Sequence, residues 1–540
     1  MSPMDAPERR LSWRALGVVL TAMMLASGCQ GGVDTSPGKA STSSPAPAPS
    51  STRNTTTGIA TVTTASVSRP LQQQAVRLRG THTWRPNRRS TAGQIEGYAS
   101  RSDAPAGVPV ELRVSTDAAR FRVTAYRLGD YRGGPAHVVW TSTAHRGQRQ
   151  PGPVFADRTT RTVVARWRTS LTVPTDGWAD GFYLFKLRGS NGWQSLVPYV
   201  VRSQRVGGKV VLVAPVATWQ AYNDWGGYSM YVARSGDHPA WAVSFDRPYP
   251  DDSVGEMGFG VLGVAVDAER ARVPLAYLTD LDLDADPHAL DGARAYVSLG
   301  HDEYWSRRMR AAVTRARARG TNVAFFGANT MYWKVRLTGT ALRPERLMVG
   351  YKTAAALDPF RRSHPRDATG LFRNDPDTGV ESSVTGMEYE CFPVDAPYRI
   401  VSPRWWGFRG THLTGQTGFQ HLVGVEADRV YPTRQTPHPL QVLSDATYSC
   451  RGVPTSTQST YYTTRSGAGV LDVGTLRWTC ALAGHCGPLW KPGRRVIAFT
   501  RKVTDTVLKV FAVGPAGLRH PAHDNVARFH LPALNQVPAS

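Results

Sequence analysis

Lysine is almost missing from this chain: only eight of its 64 basic residues are lysine, and the rest are arginine. Acidic residues are also in short supply, 41 against those 64, which leaves a net charge of +23. The arginines stand singly through every segment, with no dense basic run and no nucleic-acid motif. That pattern argues against a nucleic-acid surface and for a chain that works close to anionic lipid. There are only five cysteines, none in C-x-x-C spacing, which excludes a zinc cluster. No strand exit carries G-x-S-x-G or a cysteine, so serine-elbow and thiol catalysis are excluded as well. The apolar run near the start, Ala15 to Leu25, falls short of the about 20 residues that a permanent membrane span needs.

What is present begins with that same run. Arg9, Arg10 and Arg14 precede it, and Ala26-Ser27-Gly28-Cys29 follows it. A charged n-region, a short apolar core and small residues at the cleavage point describe a secretory signal over residues 1–28. Small residues leading into a cysteine resemble the bacterial lipobox, which implies cleavage before Cys29 and lipid on its thiol. Residues 29–71 are rich in Ser, Thr, Pro and Ala and cannot bury enough apolar surface to offset their ordering entropy, so they predict a flexible tether. The protein is thus expected to sit at the cell membrane on a lipid anchor, exposed outside the cytoplasm. Cys391, Cys450, Cys480 and Cys486 remain, an even number that suggests disulfides in an exported protein. Three pairings are open.

A length of 540 residues, too long for one ordinary core, predicts two or three domains, and 41% hydrophobic with 19% charged residues predicts a globular protein. Over residues 72–205 the apolar residues alternate with polar ones, as in Val110-Glu111-Leu112-Arg113-Val114 and in GFYLFKL (Gly181 to Leu187). Period two with Gly, Asp and Pro between runs predicts a β-sandwich of immunoglobulin-like layout. From residue 206 the runs become continuous: Lys209 to Pro215, Val273 to Leu283, Ala293 to Leu299 and Asn322 to Gly327. Such runs suit strands buried on both faces. Glu303 to Arg319 sets Trp305, Met309, Ala312, Val313 and Ala316 at helical spacing. Strands alternating with helices predict an α/β domain over 206–540 with a mostly parallel sheet, of class I amidotransferase-like layout.

Sites in such sheets form beyond the carboxyl ends of the strands. Three exits carry polar residues among aromatics: TWQAYNDWGG (Thr218 to Gly227), GHDEYWS (Gly300 to Ser306) and GANTMYWK (Gly327 to Lys334). With no nucleophile at the turn, His301, Asp302 and Glu303 point to acid–base or metal chemistry.

These segments, together with SFDRPY (Ser244 to Tyr249) and the fuller NVAFFGANTMYWKVRL (Asn322 to Leu337), resemble the large subunit of N,N-dimethylformamidase. The resemblance runs over roughly residues 80 to 540. It implies hydrolysis of an amide C–N bond at a mononuclear iron, ferric in state, held by two tyrosines and a glutamate. Motif position gives Tyr222 and Glu303. The second phenol falls on Tyr183, about forty residues earlier, with Tyr199, Tyr228 and Tyr231 as competitors. The remaining family roles fall on His301, Asn329, Lys352 (in VGYKTAAALDP) and Glu426 (in LVGVEADRV). Without the resemblance, Asn329 caps a turn, Lys352 is a surface lysine, Glu426 joins a structural ion pair and Tyr183 packs in a strand. The implied partners are a small-molecule amide or a cell-envelope component, with the membrane reached through the anchor; sequence leaves the oligomeric state open. A second reading keeps the fold without catalysis, as a cell-envelope or carbohydrate-binding lipoprotein whose 15 tryptophans stack on sugars. A third is an oxygen-dependent iron enzyme.

Overall fold

The structure is a computed structural model that describes residues 78–250, 263–339, 346–414, 416–485 and 490–532. The expected signal segment, Cys29, the expected tether and Cys486 lie outside the described residues. The described residues form one compact unit of mixed α/β character.

Its first part is two facing antiparallel layers. One contains β1 (Ile95–Ala99), β2 (Val110–Thr116) and a short strand, Leu171–Val173; the other is built on β3 (Arg120–Tyr131), β4 (Gly134–Thr141), β5 (Gly181–Gly189) and β6 (Gln194–Val201). Side chains on a strand alternate between faces. On β5, Tyr183, Phe185 and Leu187 therefore turn into the core shared with Ile95, Leu112 and Val114. Phe182 and Leu184 turn the other way and join the core of the following α/β part. The alternation expected of GFYLFKL is therefore not what the structure shows: both faces of this strand are covered, so residues 182–185 are apolar without a break.

One ion pair crosses that second interface out of water. Arg127 of β3 meets Glu269 at 2.7 Å, and the Tyr277 hydroxyl donates to the same carboxylate at 2.8 Å. The Asp130 amide satisfies its other oxygen at 2.9 Å.

The α/β part is built on β7 (Val210–Ala214), β8 (Leu275–Thr279), β9 (Ala295–Ser298), β10 (Asn322–Phe325) and β11 (Gly469–Asp472), all parallel to one another in the order β8-β7-β9-β10-β11. Two longer strands, Val453–Thr463 and Leu440–Cys450, extend the sheet antiparallel beyond β11. The chain runs from β7 outward to β8, then returns across β7 to β9. The connections therefore leave β7 and β9 in opposite directions, and a crevice opens between their carboxyl ends.

Two boundaries differ from expectation. The apolar run from Val273 ends as a strand at Thr279, whose hydroxyl accepts from the Asp282 amide and caps helix Asp280–Ala285. The helix expected from Glu303 begins only at Arg307: Tyr304–Ser306 is extended and pairs in parallel with Trp333–Val335. Ser306 caps the helix by accepting from the Met309 amide at 3.1 Å. Strand pairing outweighs the helical spacing of Trp305, whose indole instead donates to Asp302. Cys391 bonds to Cys450, and Cys480 is also in a disulfide. Among the described residues no helix is long and apolar enough to cross a membrane.

Candidate functional site

Strand β7 is buried over its whole length and leads through Pro215 into helix α1 (Val216–Tyr222). The Asp280 carboxylate accepts from the Ala217 amide at 2.8 Å and so satisfies one of the free donors of the first turn. Tyr222 is the last residue of α1. The chain then folds back, with the Met230 amide donating to the Ala221 carbonyl at 3.0 Å, which sets Tyr231 beside Tyr222. Their rings stack with centroids 4.5 Å apart. Arg247, from SFDRPY, lies buried beneath this segment and donates to the carbonyls of Tyr228 (2.9 Å) and Gln220 (3.2 Å).

The second exit, after β9, turns at Gly300, whose φ of 80° suits glycine. A Cβ on Gly327, in the exit of β10, would meet the Gly300 carbonyl oxygen at 1.9 Å, so the two exits can touch only through glycine. Asp302 faces inward and accepts from Ser298 (2.8 Å), the Trp305 indole (2.8 Å) and Tyr296 (3.2 Å). Burial raises its carboxyl to about 6 against those hydrogen bonds. With Asp302 committed to the interior, its neighbours His301 and Glu303 are left to face the crevice.

There three oxygen-bearing side chains converge. Tyr222 donates to Glu303 Oε2 at 2.7 Å, Tyr231 donates to Glu303 Oε1 at 2.6 Å, and the two phenol oxygens are 3.1 Å apart. Glu303 is buried. Burial alone would raise its carboxyl, but His301, Lys352 and the Tyr231 hydroxyl outweigh it and hold it below the usual range. Burial and the Glu303 charge push both phenols well above theirs. In this state each phenol keeps its proton and shares it with the carboxylate.

His301 Nε2 lies 3.4 Å from Glu303 and 3.2 Å from Glu426, ion-pair distances at which neither contact has hydrogen-bond alignment. Burial works against charge on the ring, yet Glu426 and Glu303 raise its pKa well above the histidine range. Lys352 adopts a left-handed φ of 53° and puts its ammonium 3.2 Å over the Tyr231 ring centroid, donating to the Met230 carbonyl at 3.1 Å. Desolvation lowers it to about 7 against the pull of Glu303. Asn329 and Met331, on the exit of β10, are left-handed as well. The Asn329 amide donates to Asp428 at 2.8 Å, and its side-chain oxygen is buried without a hydrogen-bond partner among the described residues. Left-handed non-glycine residues gathered at strand exits are the kind of local strain that functional sites hold.

Of the residues chosen from sequence, Tyr222, Glu303, His301, Lys352 and Glu426 come together, and Asn329 stands on the neighbouring exit. Tyr183 does not. It points into the sandwich core, where its hydroxyl donates to the Ala179 carbonyl at 2.6 Å and its ring stacks on Trp178. Strand alternation decides this, because residue 183 lies on the face of β5 turned away from the α/β part. The phenol that reaches Glu303 is Tyr231. Its signal in the sequence was proximity: nine residues after Tyr222, it belongs to the same strand exit.

Among the described residues no group of three His, Cys, Asp or Glu side chains is arranged to hold a metal. The converging set is instead two phenols and a carboxylate, hard oxygen donors of the kind that suit a highly charged, oxygen-seeking cation. Two bridging phenol protons now occupy the space between them. Exchanging those protons for one cation would leave three anionic oxygens around it, so the donor chemistry fits a ferric ion.

A family model described as N,N-dimethylformamidase beta subunit-like, C-terminal, matches residues 122–488, well over half the chain and every residue of this cluster. No curated protein matches. One solved structure, a Paenibacillus sp. cycloisomaltooligosaccharide glucanotransferase complexed with cycloisomaltoheptaose, is 10% identical over 39% of this chain and 27% of its own, with a TM-score of 0.14. At that score it carries no argument about fold or ligand.

Proposed function

The chain belongs to the N,N-dimethylformamidase beta subunit-like family, and from that premise we propose that it hydrolyses the C–N bond of a small amide at the Tyr222–Tyr231–Glu303 cluster. The observation that carries this reading is the convergence of those three oxygens, at 2.6 to 3.1 Å, on the crevice between β7 and β9. In our reading the cluster holds one ferric ion. The chemistry such an ion supplies when bound is Lewis acidity toward an oxygen of the substrate. The layouts we assign are immunoglobulin-like for the sandwich and class I amidotransferase-like for the parallel sheet.

The chain's own groups account for the proton movements. Hydrolysis joins a water oxygen to the carbonyl carbon, breaks the C–N bond and delivers one proton to the departing nitrogen. Lys352, lowered to about 7, exists in part as free amine near neutral pH and can take a proton from the attacking water at Nζ. His301, kept protonated by Glu426 and Glu303, holds a proton at Nε2 that no hydrogen bond commits, and it can pass this to the leaving amine. Glu426 steadies the imidazolium until then. Asn329 offers a buried side-chain oxygen that has no hydrogen-bond partner among the described residues, an acceptor suited to orienting the substrate. Tyr222, Tyr231 and Tyr304 wall the site with aromatic surface that limits water.

The test is metal analysis and visible absorption of purified protein, followed by amine release from a panel of N-substituted formamides and acetamides. One iron per chain, a phenolate-to-iron colour and amine release, all lost in Glu303→Ala, is the expected result. Protein that takes up no iron when supplied with it overturns the reading. We also place the enzyme outside the cytoplasm, tethered through lipid on Cys29, on the strength of the leader sequence alone. Membrane fractionation that finds Cys29→Ser still anchored would refute that placement.

A further inference from the structure

Glu303 is gripped twice by the same short helix. Its side chain accepts from Tyr222 at 2.7 Å, and its main chain is held one helical turn earlier. There the Thr218 hydroxyl oxygen accepts from the Glu303 amide at 2.9 Å and from the Tyr304 amide at 3.2 Å. Thr218 and Tyr222 are four residues apart on α1 and so share one face. Thr218 is buried, and water does not compete for those two amides. The strand Tyr304–Ser306 follows directly and, among the described residues, pairs only with Trp333–Val335, on the side of β10. Within the two exits, the Thr218 hydroxyl is thus the main-chain tie between the element that carries the phenol and the turn that carries the carboxylate.

We propose that Thr218 is a positioning residue that sets the separation between the Tyr222 phenol and the Glu303 carboxylate, and with it the affinity of the cluster for its cation. The inference rests on the proposed function in taking the cation to be iron, while the tie itself does not. A donor set tolerates displacements of only about half an ångström before its geometry is lost. Two amides without an acceptor would draw the Glu303 turn toward other partners. Thr218→Val keeps the shape and removes the acceptor, Thr218→Ser keeps the acceptor, and Thr218→Ala opens room for water to satisfy the amides while releasing the turn.

The experiment has two arms on the full chain. In the first, iron is titrated against a competing chelator and the visible band recorded for wild type and the three variants. Valine and alanine should bind iron about 10- to 100-fold more weakly, the range for outer-shell partners of a metal site, with a shifted band, and serine should restore both. Wild-type affinity in Thr218→Val, or in Thr218→Ala if the valine variant does not fold, overturns the proposal. In the second arm, hydrogen exchange is followed at the Glu303 and Tyr304 amides of metal-free protein. Both should be protected in wild type and serine variant and exchange faster in the alanine variant; equal protection overturns the tie. Wild-type protein that binds no iron defeats the proposed function, and the exchange arm then still decides whether Thr218 fixes the turn.

Discussion

Replacing Tyr231 by phenylalanine separates the assignment made by the structure from the one made by motif distance. The change removes a hydroxyl that donates to a buried carboxylate at 2.6 Å and stands 3.1 Å from Tyr222. It leaves the ring, and therefore the stacking on Tyr222 and the Lys352 contact over its face. A hydrogen bond to a charged group contributes about 1.5–3 kcal/mol, so metal-free Tyr231→Phe should be destabilised by about 2 kcal/mol in chemical denaturation. Its effect on iron should be larger, because one of three anionic donors is gone; the affinity should fall by more than the roughly 100-fold upper range for outer-shell partners. Tyr183→Phe is the control. It loses a neutral hydrogen bond to the Ala179 carbonyl, at about 0.5–1.5 kcal/mol, and should keep full iron and colour. Iron content and visible spectra of the two variants decide the matter. Full iron and an unchanged spectrum in Tyr231→Phe, or loss of both in Tyr183→Phe, would refute the assignment.

Glu269→Ala leaves the buried Arg127 guanidinium without its carboxylate and should destabilise the fold by about 3–5 kcal/mol, measured by denaturant unfolding. Replacing Cys391 and Cys450 by serine opens a loop of 59 residues and should lower stability by about 4 kcal/mol, with the same assay comparing oxidised wild type and variant. Asp267 is raised to about 6, first by burial, against the opposing charges of Arg270 and Arg501. Its folded pKa thus lies above the unfolded value near 4, so folding favours the protonated form. Its contribution is best at and below about pH 4, is lost as pH rises to about 6, and changes no further above that. The loss amounts to about 2–3 kcal/mol. Asp267→Asn should flatten that part of the stability–pH curve, and an identical slope in the variant would rule the assignment out.

Much of this architecture was legible in local pattern. Alternation in Val110 to Val114 marked a half-buried strand, and the unbroken run from Lys209 to Pro215 marked one covered on both faces, because the period of apolar residues follows directly from how many faces meet water. The same logic placed polar residues at three strand exits and singled out His301, Asp302 and Glu303 as ionisable groups at one turn, whereas Tyr222 and Asn329 came from the resemblance to the N,N-dimethylformamidase family. It misplaced the start of the helix after Glu303, since spacing cannot reveal that Tyr304–Ser306 finds a partner strand at Trp333.

Local pattern was enough to locate the long core strands and the exits that carry ionisable groups, but not the short strand Tyr304–Ser306. Which of several tyrosines meets Glu303 was settled by how the strands are ordered in the sheet. Tyr222 and Glu303 are 81 residues apart and meet because the sheet order sets β7 beside β9. Tyr183 is excluded because its face of β5 closes on the sandwich, and Tyr231 is included because its loop folds back onto α1. Periodicity records whether a side chain faces water or protein; which other side chain it meets depends on how strands far apart in the chain are ordered, and local pattern holds no record of that.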